Sequence, residues 1–140
     1  MDRNAPILHV EDDPVDVGNL QRACARLGVR NPVWPVGNGE EALDVLRGKG
    51  SHAREPRPGL VLLDLSMPVM SGLEFLRAVK SDPALRVIPI VVLTASNHEA
   101  DRLHAYELGA AGYLVKPIEF DRFVEVVGMI ERYWALCEGP

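Results

Sequence analysis

Gly59-Leu60-Val61-Leu62-Leu63-Asp64 stays apolar until its last residue, where it delivers a carboxylate. A strand with one wet face alternates apolar and polar residues, whereas a strand covered on both faces by helices reads as one unbroken apolar run. Residues 59–64 are therefore expected to form a central parallel strand with an acid at its carboxyl end. Outward in both directions, short apolar runs alternate with helix-periodic segments, the pattern of a parallel sheet wrapped by helices.

Upstream, residues 6–10 form the first run. Asp13 can cap the helix that follows, with Pro14 in its first position and Asp16 in its first turn. Val17, Leu20, Cys24 and Leu27 recur at helical spacing, and Gly28 can stop the helix. Residues 31–36 carry Pro32 and Pro35, and a proline cannot donate to a ladder, so this strand belongs at an edge. Asn38-Gly39-Glu40-Glu41 supplies a capping-box pattern for a helix bearing Ala42, Leu43 and Leu46. Residues 48–58 read as a polar loop longer than the usual connection. Downstream, Ser71 with Glu74 caps the third helix, residues 88–93 are another buried run, and Ser96 with Glu99 caps the fourth helix. Gly109 ends that helix, residues 112–115 make a short strand, and residues 118–136 a long last helix. The sum is an α/β chain of (βα)5 type, one domain over residues 1–140 with no internal repeat.

The composition agrees. At 140 residues the chain has the size of one ordinary domain, and its 47% hydrophobic and 25% charged residues are those of a soluble globular protein. No apolar run approaches the roughly 20 residues needed to span a bilayer, and the start goes almost directly into a strand, leaving no room for a signal peptide. Cys24 and Cys137 lack metal-ligand spacing and read as thiols of a reducing cytoplasm. A net charge of −5 without a basic cluster argues against nucleic acid as a direct partner.

With the proline-bearing strand at an edge, the expected strand order is 2-1-3-4-5. Open sheets of this kind bind ligands beyond the carboxyl ends of their strands, where the order reverses, here between strands 1 and 3. Strand 1 ends in Glu11-Asp12-Asp13 and strand 3 in Asp64, so at least three carboxylates converge there. Packed acids repel one another and call for a cation. Oxygen ligands without His or Cys suit a hard ion, and Mg²⁺ is the one that bridges carboxylates and phosphate. Strand 4 brings Thr94 to the same rim and strand 5 brings Lys116, followed by Pro117. A carboxylate nucleophile, a metal, a cation and a hydroxyl donor are the parts that phosphoryl transfer needs.

The motifs VEDDP (10–14), LLDLSMPVMSG (62–72), VVLTAS (91–96) and GYLVKP (112–117), in this order and spacing, resemble the receiver domains of two-component response regulators over essentially the whole chain. The resemblance implies that Asp64 is the phosphoryl acceptor. It implies Asp12 as direct metal ligand, Glu11 as the second acid acting through water, and the backbone carbonyl of Ser66 as the third metal contact. Thr94 resembles the switch hydroxyl, Tyr113 the aromatic that follows it, and Lys116 the lysine that pairs with acceptor and phosphate. The peptide before Pro117 is similar to one held cis in the family, and Met67-Pro68 and Gly72 to the turn residues beyond the acceptor. One departure concerns the acidic pair, often Asp-Asp in the family. Here three acids run together; Glu11 and Asp12 align with the pair and Asp13 with the helix cap, a shift by one residue being the alternative. The VEDDPVD start, the long loop before strand 3 and the last helix with its Phe and Trp residues resemble the stand-alone receivers that accompany phytochrome-type histidine kinases. With no effector domain after Leu136, action through another protein or through dimerisation is expected.

Blander roles compete at several positions. Asp13 is best read as an N-cap, and Tyr113 has a reading as a plain core aromatic. His9, His52, His98 and His104 read as ordinary strand, loop and surface histidines rather than ligands, and neither His98 nor His104 reads as a phosphorelay donor. In the last helix, Phe120, Phe123, Val127, Ile130 and Trp134 form one apolar stripe that Val126, Met129 and Tyr133 widen. The excess is either a wide core face or a partner surface, most simply of a homodimer. The rival from another class is a Mg²⁺ phosphohydrolase with an aspartyl-phosphate intermediate, which needs a second acid two residues after its nucleophile; Ser66 stands there. A flavodoxin-like cofactor module would need a Gly-rich phosphate loop after strand 1, which is missing. The reading is thus a signalling switch rather than an enzyme, with only intrinsic self-phosphorylation and self-dephosphorylation.

Overall fold

The computed structural model describes residues 5–49 and 57–136; His52, Cys137 and the middle of the 48–58 loop lie outside them. Strands β1 (Ile7–Val10), β2 (Val33–Val36), β3 (Leu60–Leu63), β4 (Ile90–Thr94) and β5 (Gly112–Val115) alternate with helices α1 (Pro14–Leu27), α2 (Gly39–Leu46), α3 (Gly72–Lys80), α4 (Glu99–Glu107) and α5 (Phe120–Leu136). The five strands are parallel and ordered β2-β1-β3-β4-β5, as the prolines and the apolar runs require. Among the described residues β2 pairs only with β1, its Pro35 opposite His9.

The unbroken run of β3 is explained by what lies on either side of it. Val61 and Leu63 enter a core with Phe75, Leu76 and Val79 of α3 and Ala42, Leu43 and Leu46 of α2. Leu60 and Leu62 enter a second core with Leu20 and Cys24 of α1 and Phe123, Val124 and Val127 of α5. A polar residue at any of these four β3 positions would be buried without a partner.

The expected caps form at three helices. Asp13 accepts from Val15 N at 2.9 Å, Asn38 from Glu41 N at 2.8 Å and Ser71 from Glu74 N at 3.3 Å. Gly28 ends α1 in the left-handed region at φ 68°, where a side chain would be strained. The fourth cap departs from expectation. α4 starts at Glu99 behind His98, which makes no side-chain cap bond, and the Ser96–Glu99 box is not formed. Ser96 is held instead by long-range partners, described below. α5 begins at Phe120 rather than at residue 118, and its core face is centred on Phe123, Val124 and Val127. Met129 and Tyr133 stand 55% and 61% exposed, outside any core; the side chain of Trp134 lies outside the described residues. No helix among the described residues is long and apolar enough to cross a membrane.

Candidate functional site

Ladder bonds extend one residue past three strands and place the chemistry. Glu11 N donates to Val36 O at 2.9 Å, Asp64 N to Val10 O at 3.0 Å and Lys116 N to Thr94 O at 2.7 Å. With Val10 registered opposite Leu63, Glu11 and Asp64 emerge side by side. Carboxylate oxygens of Glu11, Asp12 and Asp64 lie within 4.8 Å of one another, Glu11 and Asp64 buried and Asp12 exposed. Three convergent carboxylates, one of them open to solvent, fit a hard divalent cation that keeps part of its water shell.

The two oxygens of Asp64 face different donors. Oδ1 accepts from Thr94 Oγ1 at 2.8 Å and from Ser66 N at 3.1 Å; Oδ2 lies 3.4 Å from Lys116 Nζ. The Lys116 ammonium also bonds Glu11 Oε1 and, at 2.7 Å, Asp16 Oδ2. Burial works against the charged lysine, but the hydrogen bonds to Asp16 and Glu11 and the charges of Asp64 and Glu11 outweigh it, holding its pKa above the ordinary value. Burial pushes the Glu11 carboxyl up to about 7, aided by the Asp64 charge and opposed by Lys116. The peptide between Lys116 and Pro117 is cis.

Asp13, whose role the sequence leaves open, is placed by its own hydrogen bond as the cap of α1. Asp16 is a residue that sequence reasoning undervalued: as a first-turn acid it looked like helix-dipole chemistry, yet it is a close partner of Lys116. That pairing spans a hundred residues of chain, beyond any local pattern. His9 was read as an ordinary strand histidine. It is 2% exposed, its Nδ1 has no hydrogen-bond partner among the described residues, and burial and the Lys116 charge lower its pKa to about 4 against the pull of Asp16 and Asp64.

Beyond Asp64, the loop 65–71 turns sharply, with Met70 N on Pro68 O at 2.7 Å. Val69 takes φ 67°, a conformation in which a β-branched residue is strained. Gly72 starts α3 against the backbone of Asp64 and Leu65: a Cβ there would lie 2.4 Å from Asp64 O and 2.5 Å from Leu65 Cα. Tyr113 is half-buried, and its hydroxyl donates to Ser96 O at 3.0 Å, which joins β5 to the loop after β4. Glu11, Asp12, Asp64, Thr94 and Lys116 thus come together on one rim, with Ser66 beside Asp64 and Tyr113 one hydrogen bond away from Ser96.

Residues 7–128 match the response regulator receiver domain family. The chain is 35% identical to response regulator Rcp1 of Synechocystis sp. over 128 residues, 91% of this chain and 87% of that one. Among solved structures it resembles the phosphorylated cyanobacterial phytochrome response regulator RcpA, at 38% identity and a TM-score of 0.88 with 98% and 99% of the two chains covered. It also resembles the Mn(2+)-bound form of response regulator Rcp1, at 34% identity and a TM-score of 0.86 with 97% and 99% covered.

Proposed function

The chain belongs to the response regulator receiver family, and from that premise we propose that Asp64 accepts a phosphoryl group from a histidine kinase in a Mg²⁺-dependent reaction. One observation carries the assignment: the two oxygens of a single buried carboxylate meet a hydroxyl from β4 and an ammonium from β5. One Asp64 oxygen bonds to phosphorus as the P–N bond of the donor's phosphohistidine breaks, and the departing imidazole nitrogen takes up a proton. Held by Asp12, Asp64, the Ser66 carbonyl and, through water, Glu11, Mg²⁺ would neutralise charge on the phosphoryl oxygens. Lys116 supplies a fixed positive charge beside the acceptor, and Thr94 a donor that can pass from the carboxylate to a phosphoryl oxygen. The added charge, about −1.5 to −2, biases a two-state element that includes Tyr113.

Ser66 and Ser96 flank the entry of an attacking water, and neither is an acid or an amide, so self-dephosphorylation is slow to moderate; a half-life of seconds would count against this. Likeness to the phytochrome response regulators supports a phytochrome-type histidine kinase as donor. Val126, Met129 and Tyr133 of α5 line an apolar groove of about 460 Å³ with Tyr113 and Leu114 of β5, which supports a homodimer across this face. A cytoplasmic receiver that acts without direct contact to nucleic acid or membrane completes the reading.

Mass spectrometry after incubation with acetyl phosphate and Mg²⁺ tests it. The expected result is a gain of one phosphoryl group that disappears in Asp64→Asn. Rapid multiple turnover of phosphate esters would overturn it in favour of a phosphohydrolase.

A further inference from the structure

A continuous hydrogen-bonded chain runs from the acceptor into α4, and Ser96 is its junction. Thr94 Oγ1 donates to Asp64 Oδ1 at 2.8 Å and receives Ser96 N at 3.4 Å. The Ser96 carbonyl receives the Tyr113 hydroxyl at 3.0 Å. The Ser96 hydroxyl donates to Asp101 Oδ2 at 2.5 Å and receives His98 N at 3.4 Å. Backbone and side chain of this one residue therefore touch the Thr94 hydroxyl, β5 and the first turn of α4.

Asp101 is the only member of the chain that belongs to α4 itself. Its bond is short and charge-assisted, the strongest class of neutral-to-ion contact. Besides the contact of His104 Nε2 with Arg77 Nη2 at 3.3 Å, little else among the described residues fixes the helix: of its nine residues only Ala105 is buried, and His98 gives it no side-chain cap. A tether of this strength on a helix so lightly packed decides where its first turn sits.

Resting on the proposed phosphorylation of Asp64, we infer that Asp101 is a positioning residue that carries the state of Asp64 into α4 through Ser96. When Thr94 leaves the carboxylate for a phosphoryl oxygen, Ser96 N loses its acceptor position. The Ser96 hydroxyl then passes the shift to Asp101, and the Ser96 carbonyl passes it to Tyr113. Tyr113 alone could follow Thr94 without moving α4; Asp101 makes the helix part of the switch.

Amide hydrogen exchange of α4 is compared before and after acetyl phosphate treatment with Mg²⁺, with mass spectrometry scoring phosphorylation of every sample. In the unaltered protein, phosphorylation is expected to change α4 exchange about tenfold or more. Asp101→Ala should gain the phosphoryl group to the same extent while the change in α4 falls below about twofold. Asp101→Asn, which keeps an acceptor, should restore most of the response, and Ser96→Ala should abolish it to the same degree as Asp101→Ala, with no further loss in the double variant. Glu99→Gln removes a neighbouring first-turn charge without touching Ser96 and should leave the response intact. A purely structural role would raise exchange equally in both states and leave their ratio unchanged. An undiminished ratio in Asp101→Ala, or an unresponsive α4 in the phosphorylated unaltered protein, overturns the inference. Absence of any phosphoryl gain overturns the receiver reading itself.

Discussion

α3 and α4 have the same length, nine residues, and flank the same core, yet they are attached in different ways. α3 buries Gly72, Phe75, Leu76 and Val79 and is capped by Ser71; α4 buries Ala105 alone and has no side-chain cap. Leu103 and Tyr106 of α4 are about half exposed, so the helix is held by Ala105, by the Ser96–Asp101 bond and by the contact of His104 Nε2 with Arg77 Nη2 at 3.3 Å. Apolar burial falls off gradually as a helix shifts, whereas a few directional polar contacts let it move between discrete positions. Elements that move are drawn from the weakly packed end of a structure, and here a well-packed helix lies next to a lightly packed one.

The largest expected effect tests the rigid side. Phe75 is fully buried, and Phe75→Ala should lower unfolding free energy by roughly 3–5 kcal/mol in urea titrations. Leu103→Ala on α4 should stay within about 0.5 kcal/mol; a loss above roughly 1.5 kcal/mol there would break the contrast.

Acid gives the next effect. His9 has a folded-state pKa near 4 against an ordinary 6.5, so between these values the unfolded chain binds more protons. The neutral histidine's contribution is complete above pH 6.5 and is lost as pH falls toward 4. Glu11, raised to about 7, acts in the opposite direction: the folded state binds its proton first, and stability from this group grows as pH falls. The comparison of His9→Leu with the unaltered protein isolates the histidine. Relative to its value at pH 7.5, the variant should gain about 2 kcal/mol on the parent at pH 5. Opening energies of α3 amides in native-state hydrogen exchange should follow that difference. Those of α4 should not, because a helix with one buried residue and no side-chain cap is expected to open locally.

The caps supply the smallest effects. Ser71→Ala should cost about 1 kcal/mol by thermal melting, and His98→Ala almost nothing. His98→Asp, placing an acceptor where α4 lacks one, should stabilise that helix by about 0.5–1 kcal/mol and slow its exchange.

What could be read from the sequence follows the range of the interactions. The run of residues 59–64 and the two prolines at 32 and 35 carry the sheet order, because burial on two faces and the missing N–H are properties of single positions. Glu11, Asp12, Asp64, Thr94 and Lys116 were legible because each sits at the end of a strand whose direction was known. Asp16 and the burial of His9 were not: Asp16 meets Lys116 a hundred residues away, and burial is a property of the packed structure. Ser96 and Glu99 match a local capping pattern, but Tyr113 lies seventeen residues farther along, and its bond to the Ser96 carbonyl is invisible to any local window. The apolar excess of α5 was legible as an excess, while the share taken by Val124 required the packing itself.

Gly72 extends this beyond physics into heredity. It carries no side chain and takes no part in the proposed chemistry, yet even a methyl group there would strike the backbone of Asp64. In a saturation library scored for phosphorylation, codon 72 should tolerate as few alternatives as codon 64. The constraint on the proposed acceptor would then extend to a hydrogen atom eight residues away.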